Sequence, residues 1–330
     1  MSALIDGYDA AFFDLDGVIY LGPLAVPGAP QVLGELQQRG TTVMFVTNNA
    51  ARAARVVIDQ LTELGFSADD HNVLTSAQVA VTQMARELPA GARVLVNGSP
   101  SLAELVAQAG FVPVESASDN PVAVVQGYDP AMTWARLDEA ALAIQAGAVW
   151  YATNDDASRP TDRGLVPGAG GAIAAVAGTV RGRPTIFGKP YRPMLEEATR
   201  RTGAAHPIFV GDRLDTDIGG AVNAGIDSLL VFTGAHGKLD LVAAGQAERP
   251  TYIGADVGAL LQPPRRVEIT GSTAVCRGQE ARVVDGRVQL ATVPDTFEAQ
   301  LDALWAITQL AWLDASLDCS DALAGLELVR

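Results

Sequence analysis

The stretch "FFDLDGVIY", residues 12–20, decides the fold. An apolar run that begins at Ala10 is cut off by Asp14 and Asp16, two carboxylates one residue apart, and then by Gly17. A run apolar on both faces predicts a buried strand of a parallel sheet. Ligands of open α/β sheets lie beyond the carboxyl ends of such strands, so acidic residues there are placed for chemistry. Standing alone, D-x-D-G would read as a turn in which an aspartate and Gly17 reverse the chain.

Outward from this stretch the alternation of strand and helix continues. "PGAPQVLGELQQRG" predicts a helix closed by Gly40, "TTVMFVT" a second buried strand, and "ARAARVVIDQLTELG" a helix closed by Gly65. After residue 183 the pattern returns as "PTIFGK", a helix from Pro193 to Arg201, "HPIFVGD", a helix to Ala224 and "DSLLVFTG", read as the second half of the same sheet. Residues 76–182 carry their own units, among them "ARVLVNG", "VAVVQGYD" and "AVWYATN", enough for an inserted α/β domain. "QPPRR" at 262–266 reads as a linker. Beyond it an alternating stretch with an Asp285-Gly286 hairpin signal precedes a helical spacing of Phe297, Leu301, Leu304, Trp305, Leu310 and Trp312. The predicted class is α/β: a Rossmann-like, doubly wound parallel-sheet core of residues 1–75 and 183–262, an inserted α/β cap of residues 76–182, and a small C-terminal α+β appendage of residues 263–330. So short an appendage is marginal as an independent core.

The chain has 38 acidic and 23 basic residues, a formal net charge of −15. That excludes general nucleic-acid binding, which needs a compensating cationic face. It leaves room for a small anionic substrate, because one lysine and one metal ion invert a local field. The two cysteines, Cys276 and Cys319, read as ordinary buried thiols. No signal-peptide pattern opens the chain and no apolar stretch is long enough to span a bilayer, so a cytoplasmic protein with no membrane partner is expected.

Three more polar clusters follow predicted strands: Thr47, Asn48 and Asn49 in "FVTNN", Gly188 and Lys189 in "FGKP", and Asp212, Asp215 and Asp217 in "FVGDRLDTD". Each has an ordinary account as a helix cap, a solvated lysine or an acidic helix start. In this order, each after a buried strand, they form a phosphate-handling set. Carboxylates hold a cation, a hydroxyl and an amide donate hydrogen bonds, and a lysine neutralises oxyanions.

The four clusters, "DLDGVIY", "TNN", "GKP" and "GDRLDTD", resemble the ordered motifs of the haloacid dehalogenase superfamily. Residues 8–260 resemble its NagD-like phosphatase branch, whose large cap signature is similar to "YATNDDASRPTDRGLVPGAGGAIAAV" here. The resemblance implies that Asp14 attacks phosphorus to form an aspartyl phosphate and that Asp16 is the general acid, then base. It implies Mg²⁺ on Asp14, Asp212 and the Asp16 carbonyl, and phosphate binding by Thr47, Asn48 and Lys189, with Gly17, Asn49 and Asp217 in support. An aspartate at position 16 points to phosphoryl chemistry, with phosphatase ahead of phosphomutase because a large cap closes over small substrates.

The implied substrate is a small phosphomonoester, glycerol 3-phosphate first, with phosphoglycolate, pyridoxal phosphate and other sugar or polyol phosphates as alternatives. Asn154 and Asp155 are the cap candidates for bonding polyol hydroxyls, and "PGAGG" at 167–171 is either a ligand loop or a tight helix entry. Cap-mediated homodimers occur in the branch. A non-catalytic phosphate-ester-binding regulator is the alternative of another class, and the retained Asp14, Asp16, Lys189 and Asp212 argue against it. The appendage faintly resembles part of a GNAT-type acetyltransferase but lacks the R-x-x-G-x-G/A loop, which reads as a structural or regulatory remnant. Truncation at Pro263 is therefore expected to leave the chemistry intact while lowering stability.

Overall fold

The computed structural model describes residues 2–161 and 163–329. The chain forms two compact units, Met1–Met44 with Thr202–Arg330, and Phe45–Arg201.

In the first unit Ala10–Phe13 pairs in parallel with Pro207–Gly211, which pairs with Asp227–Val231, which in turn pairs with Tyr252–Gly254. Phe12, Phe13, Phe209, Val210, Leu229 and Leu230 are fully buried, as strands covered on both faces require. The strand Thr42–Thr47 starts in this unit, where the Thr42 amide donates to the Asp9 carbonyl (3.1 Å), and ends in the other. The C-terminal residues add a four-stranded antiparallel sheet, Val267–Thr270, Thr273–Cys276, Gln279–Val284 and Arg287–Leu290, in that order. Asp285 and Gly286 form its last turn with positive φ (49° and 76°), as a two-residue hairpin of this kind demands.

Helix Phe297–Leu313, capped by Thr296 accepting from the Ala299 amide (3.3 Å), lays Leu301, Leu304, Ile307 and Leu310 against the sheet Ala274, Cys276, Ala281 and Val288. Leu230, Phe232, Leu241 and Ile253 belong to the same apolar cluster, so the appendage is continuous with the first unit's core. "QPPRR" is correspondingly no solvated linker. Arg265 is buried and donates to Asp302 (2.8 Å), Glu298 and the Ile253 carbonyl (3.3 Å). Burial of an arginine demands such partners.

In the second unit a five-stranded parallel sheet runs Thr185–Ile186, Val149–Ala152, Ala123–Gln126, Arg93–Asn97, Val112–Val114. Helices Trp134–Gln145 and Ala169–Ala177 contribute to the cluster that buries Leu95, Val124, Trp150 and Ala152. "PTIFGK" departs from expectation here. Its two-residue strand Thr185–Ile186 pairs with Tyr151 and Ala152 of this sheet instead of extending the sheet of Ala10–Phe13. No helix of the described residues is long and apolar enough to cross a membrane.

Candidate active site

The first unit gathers the carboxylates. Asp14 follows the strand Ala10–Phe13, its amide donating to the Val210 carbonyl (2.9 Å), so its place is set by the parallel pairing. Leu15 is buried, and its carbonyl accepts from Ile19 (2.9 Å) and Tyr20 (3.1 Å), which turns the chain sharply after the two aspartates. Gly17 takes φ +87°, and a Cβ there would sit 2.4 Å from Asp212 Oδ2. Asp212, at the end of Pro207–Gly211, is buried, and its Oδ2 accepts from the Ala235 amide (2.6 Å).

A single π-helical turn, Leu214–Ile218, follows, the Ile218 amide reaching back to the Arg213 carbonyl (3.0 Å). Such turns recur at functional sites. This one returns Asp217 beneath its own strand, where Asp217 Oδ2 accepts from the amides of Asp212 and Arg213 (both 3.1 Å). Asp215 is held outside by Arg213 (2.6 Å); burial would raise its pKa, but that guanidinium wins and lowers it.

Oxygen atoms of Asp14, Asp212 and Asp217 lie within 4.8 Å of one another. Three carboxylates at that spacing, two of them buried, repel unless a cation lies among them. All-oxygen hard donors suit Mg²⁺ or Ca²⁺ and disfavour soft metals. Asp16, whose side chain is exposed, is not a member of this trio.

The loop after the strand Asp227–Val231 contributes residues that sequence reasoning did not single out. Thr233 donates to the Gly17 carbonyl, His236 donates its amide to the Asp212 carbonyl (3.2 Å), and His236 Nδ1 accepts from the Leu214 amide (2.8 Å). The only hint in the sequence is the glycine after this strand: a Cβ on Gly234 would overlap Asp212 Oδ2.

The second unit holds Thr47, Asn48 and Lys189. Thr47 ends its strand, and its Oγ1 accepts from the Asn49 amide (3.1 Å), while Asn49 Oδ1 accepts from Ala51 (3.0 Å) and so shapes the turn. Lys189 is 2% exposed, with Nζ donating to the Val46 carbonyl (3.3 Å). Asn48 does not point its carboxamide outward: Oδ1 accepts from the Lys189 amide (2.7 Å) and Nδ2 donates to the Lys189 carbonyl (2.9 Å).

The buried Asn154 is likewise engaged, accepting from Thr153 Oγ1 (3.0 Å) and donating to Asp156 (2.7 Å). Asp155, half-buried, accepts from the Tyr191 hydroxyl (2.7 Å), and burial with that bond pushes the Tyr191 pKa up to about 12.

A haloacid dehalogenase-like hydrolase family model matches residues 11–112, and a HAD-hydrolase-like model matches residues 186–260. The chain is 44% identical over 269 residues to the D-glycerol 3-phosphate phosphatase of Mycobacterium tuberculosis, which covers 82% of this chain and 75% of that one. The solved structure of the glycerol phosphate phosphatase of that organism in complex with magnesium aligns with a TM-score of 0.83 and 37% identity, over 99% of this chain and 98% of its own. The 4-nitrophenylphosphatase of Thermotoga maritima aligns with a TM-score of 0.73 and 30% identity, over 79% and 98%. With sequence identity of this degree and a shared fold over nearly the whole length, the protein belongs to the haloacid dehalogenase-like hydrolase family, in its phosphatase branch.

Proposed function

We propose that the protein is a Mg²⁺-dependent phosphatase that hydrolyses D-glycerol 3-phosphate through an aspartyl phosphate on Asp14. The observation that carries the chemistry is the trio Asp14, Asp212 and Asp217 beside the strand-end Asp16. The substrate is supported by the 44% identity to the D-glycerol 3-phosphate phosphatase.

Asp14 Oδ attacks phosphorus and the bond from phosphorus to the glycerol oxygen breaks. Asp16, as the carboxylic acid, gives its proton to that departing oxygen. Asp16, now a carboxylate, takes a proton from water; the water oxygen bonds to phosphorus, the acyl phosphate bond breaks, and Asp14 is restored with release of inorganic phosphate. Asp14, Asp212 and Asp217, with the Asp16 carbonyl that the family resemblance adds, would hold Mg²⁺, which would supply the positive charge that lets an anionic nucleophile meet an anionic ester. Lys189 and the Thr47 hydroxyl act on the transferring oxygens, where a loose transition state is stabilised by position and charge. The Asn48 carboxamide enters this scheme through the Lys189 main chain.

Residues 76–182 are assigned substrate selection. Of the two cap candidates, Asn154 spends its carboxamide on Thr153 and Asp156, so the role of bonding a polyol hydroxyl is given to Asp155, which accepts from the Tyr191 hydroxyl.

The test is Mg²⁺-dependent phosphate release from D-glycerol 3-phosphate, phosphoglycolate, pyridoxal phosphate and a nucleoside 5′-monophosphate. D-glycerol 3-phosphate is expected to lead in kcat/KM by more than about tenfold, roughly 1.4 kcal/mol of transition-state binding. Asp14→Asn is expected to lower every rate at least about a thousandfold. A lead of the same size for another ester removes the substrate assignment, and an active Asp14→Asn removes the nucleophile.

A further inference from the structure

We infer that Asp156, to which sequence reasoning gave no role, is a positioning residue that sets Lys189 through Asn48. The inference rests on the reading of Lys189 as a group acting on the phosphoryl oxygens.

The chain of contacts lies wholly within one compact unit. Asp156 accepts from Asn48 Nδ2 (3.2 Å to Oδ1 and 3.4 Å to Oδ2) and from Asn154 Nδ2 (2.7 Å). A carboxylate only accepts, so it dictates which end of each carboxamide faces it. Asn48 thereby presents Oδ1 to the Lys189 amide and Nδ2 to the Lys189 carbonyl, gripping that main chain as a neighbouring strand would. Lys189 is buried, with Nζ against the Val46 carbonyl, so an error in its main-chain position passes directly to its ammonium.

Two glycine positions show how tightly this arrangement is built. A Cβ on Gly188 would lie 2.7 Å from Asn48 Oδ1 and 2.8 Å from Asn154 Cβ, which explains a glycine directly before the lysine. A Cβ on Gly168 would lie 2.2 Å from the Asp156 carbonyl, which instead accepts from the Gly170 amide (3.0 Å). "PGAGG" therefore brings the start of helix Ala169–Ala177 onto the main chain of Asp156 and fixes it. The cap signature, on this account, orients a core motif lysine as well as enclosing substrate. Asp156 thus has its side chain spent on two carboxamides and its carbonyl spent on the helix entry. These bonds hold the Asn48 carboxamide in the orientation that engages the Lys189 main chain.

The experiment is a double-mutant cycle on the full-length enzyme with Mg²⁺ and D-glycerol 3-phosphate, kcat and KM being measured per folded molecule as judged by near-UV circular dichroism. Asp156→Ala is expected to lower kcat about 10- to 100-fold with KM changed less than about threefold, the signature of an interaction realised in the transition state. Asn48→Ala is expected to do the same, and the double variant to be no more than about threefold worse than the worse single one, because both remove one linkage. Asp156→Asn, which keeps one acceptor oxygen, is expected to fall between wild type and Asp156→Ala.

Losses that multiply across the cycle, or that vanish when corrected for folded fraction, overturn the proposal. Lys189→Ala with negligible turnover beside a wild-type-like Asp156→Ala also overturns it and leaves the reading of Lys189 standing. A fully active Lys189→Ala overturns both.

Discussion

At Gly17 a single missing methyl group decides whether the Asp212 carboxylate keeps its place beside Asp14 and Asp217. The residue sits at φ +87°, which disfavours any side chain, and its absent Cβ is the space that Asp212 Oδ2 occupies. Gly17→Ala is expected to cut kcat/KM at least about 100-fold and to raise the Mg²⁺ concentration for half-maximal activity, with far-UV circular dichroism unchanged. Activity within about threefold of wild type would show that Asp212 has room to move and that the cradle is not tight. The placement of Asp14 and Asp212 was legible in the sequence because each directly follows an apolar run that forms a buried strand. The real partners of Asn48 were not legible. Lys189 and Asp156 lie 141 and 108 residues away, and no local pattern reports which end of a carboxamide faces them.

Secondary-structure elements divide in the same way between what local pattern carries and what only packing decides. Helix Phe297–Leu313 was readable from the spacing of its apolar residues, and the last hairpin from Asp285-Gly286. The strand Thr185–Ile186 was misplaced because two residues carry too little pattern to say which sheet they join. Helix Arg192–Thr202, read from sequence as Pro193 to Arg201, carries an ion-pair cluster that its local pattern did not report. Its Glu197, 4% exposed, accepts from Arg200 (2.6 Å) and Arg201 (3.0 Å) on its own helix and from Arg86 (3.1 Å) on helix Ser76–Glu87.

Burial alone would raise the Glu197 pKa, but the arginines outweigh it and hold the carboxyl at about 2. A depressed folded pKa means stability that is present above the ordinary carboxylate value and lost as pH falls from about 4.5 through about 2. Glu197→Gln is therefore expected to cost about 1–2 kcal/mol at pH 7, a modest figure because the arginines left behind reach solvent. The gap in urea midpoint between variant and wild type is expected to close as pH approaches 2. A gap that is constant from pH 7 to pH 2.5 would mean that packing, not charge, sets the effect.

At the scale of the whole molecule, the first unit draws on both ends of the chain, Met1–Met44 and Thr202–Arg330, and the appendage completes its core. That gives a physical cause for the loss of stability expected on truncation at Pro263. None of the proposed catalytic residues lies beyond it, yet removal of residues 263–330 strips apolar partners from Leu214, Leu230, Leu241 and Ile253 and takes away the Leu326 carbonyl to which Lys238 donates. Each such side chain is worth about 1.5–3 kcal/mol of burial, against a total stability of about 5–15 kcal/mol for an ordinary domain. The fragment 1–262 is expected to be insoluble, or to unfold at least about 10 °C below the full chain at a conversion of about 2–4 °C per kcal/mol. In the intact protein Leu304→Ala, a gentler change in the same core, is expected to cost about 2–5 kcal/mol while Mg²⁺-dependent turnover at 25 °C is retained. A soluble fragment 1–262 that melts with the full chain would show that the shared cluster is contact without dependence. A Leu304→Ala protein that is fully stable and yet inactive would show instead that the appendage shapes the site.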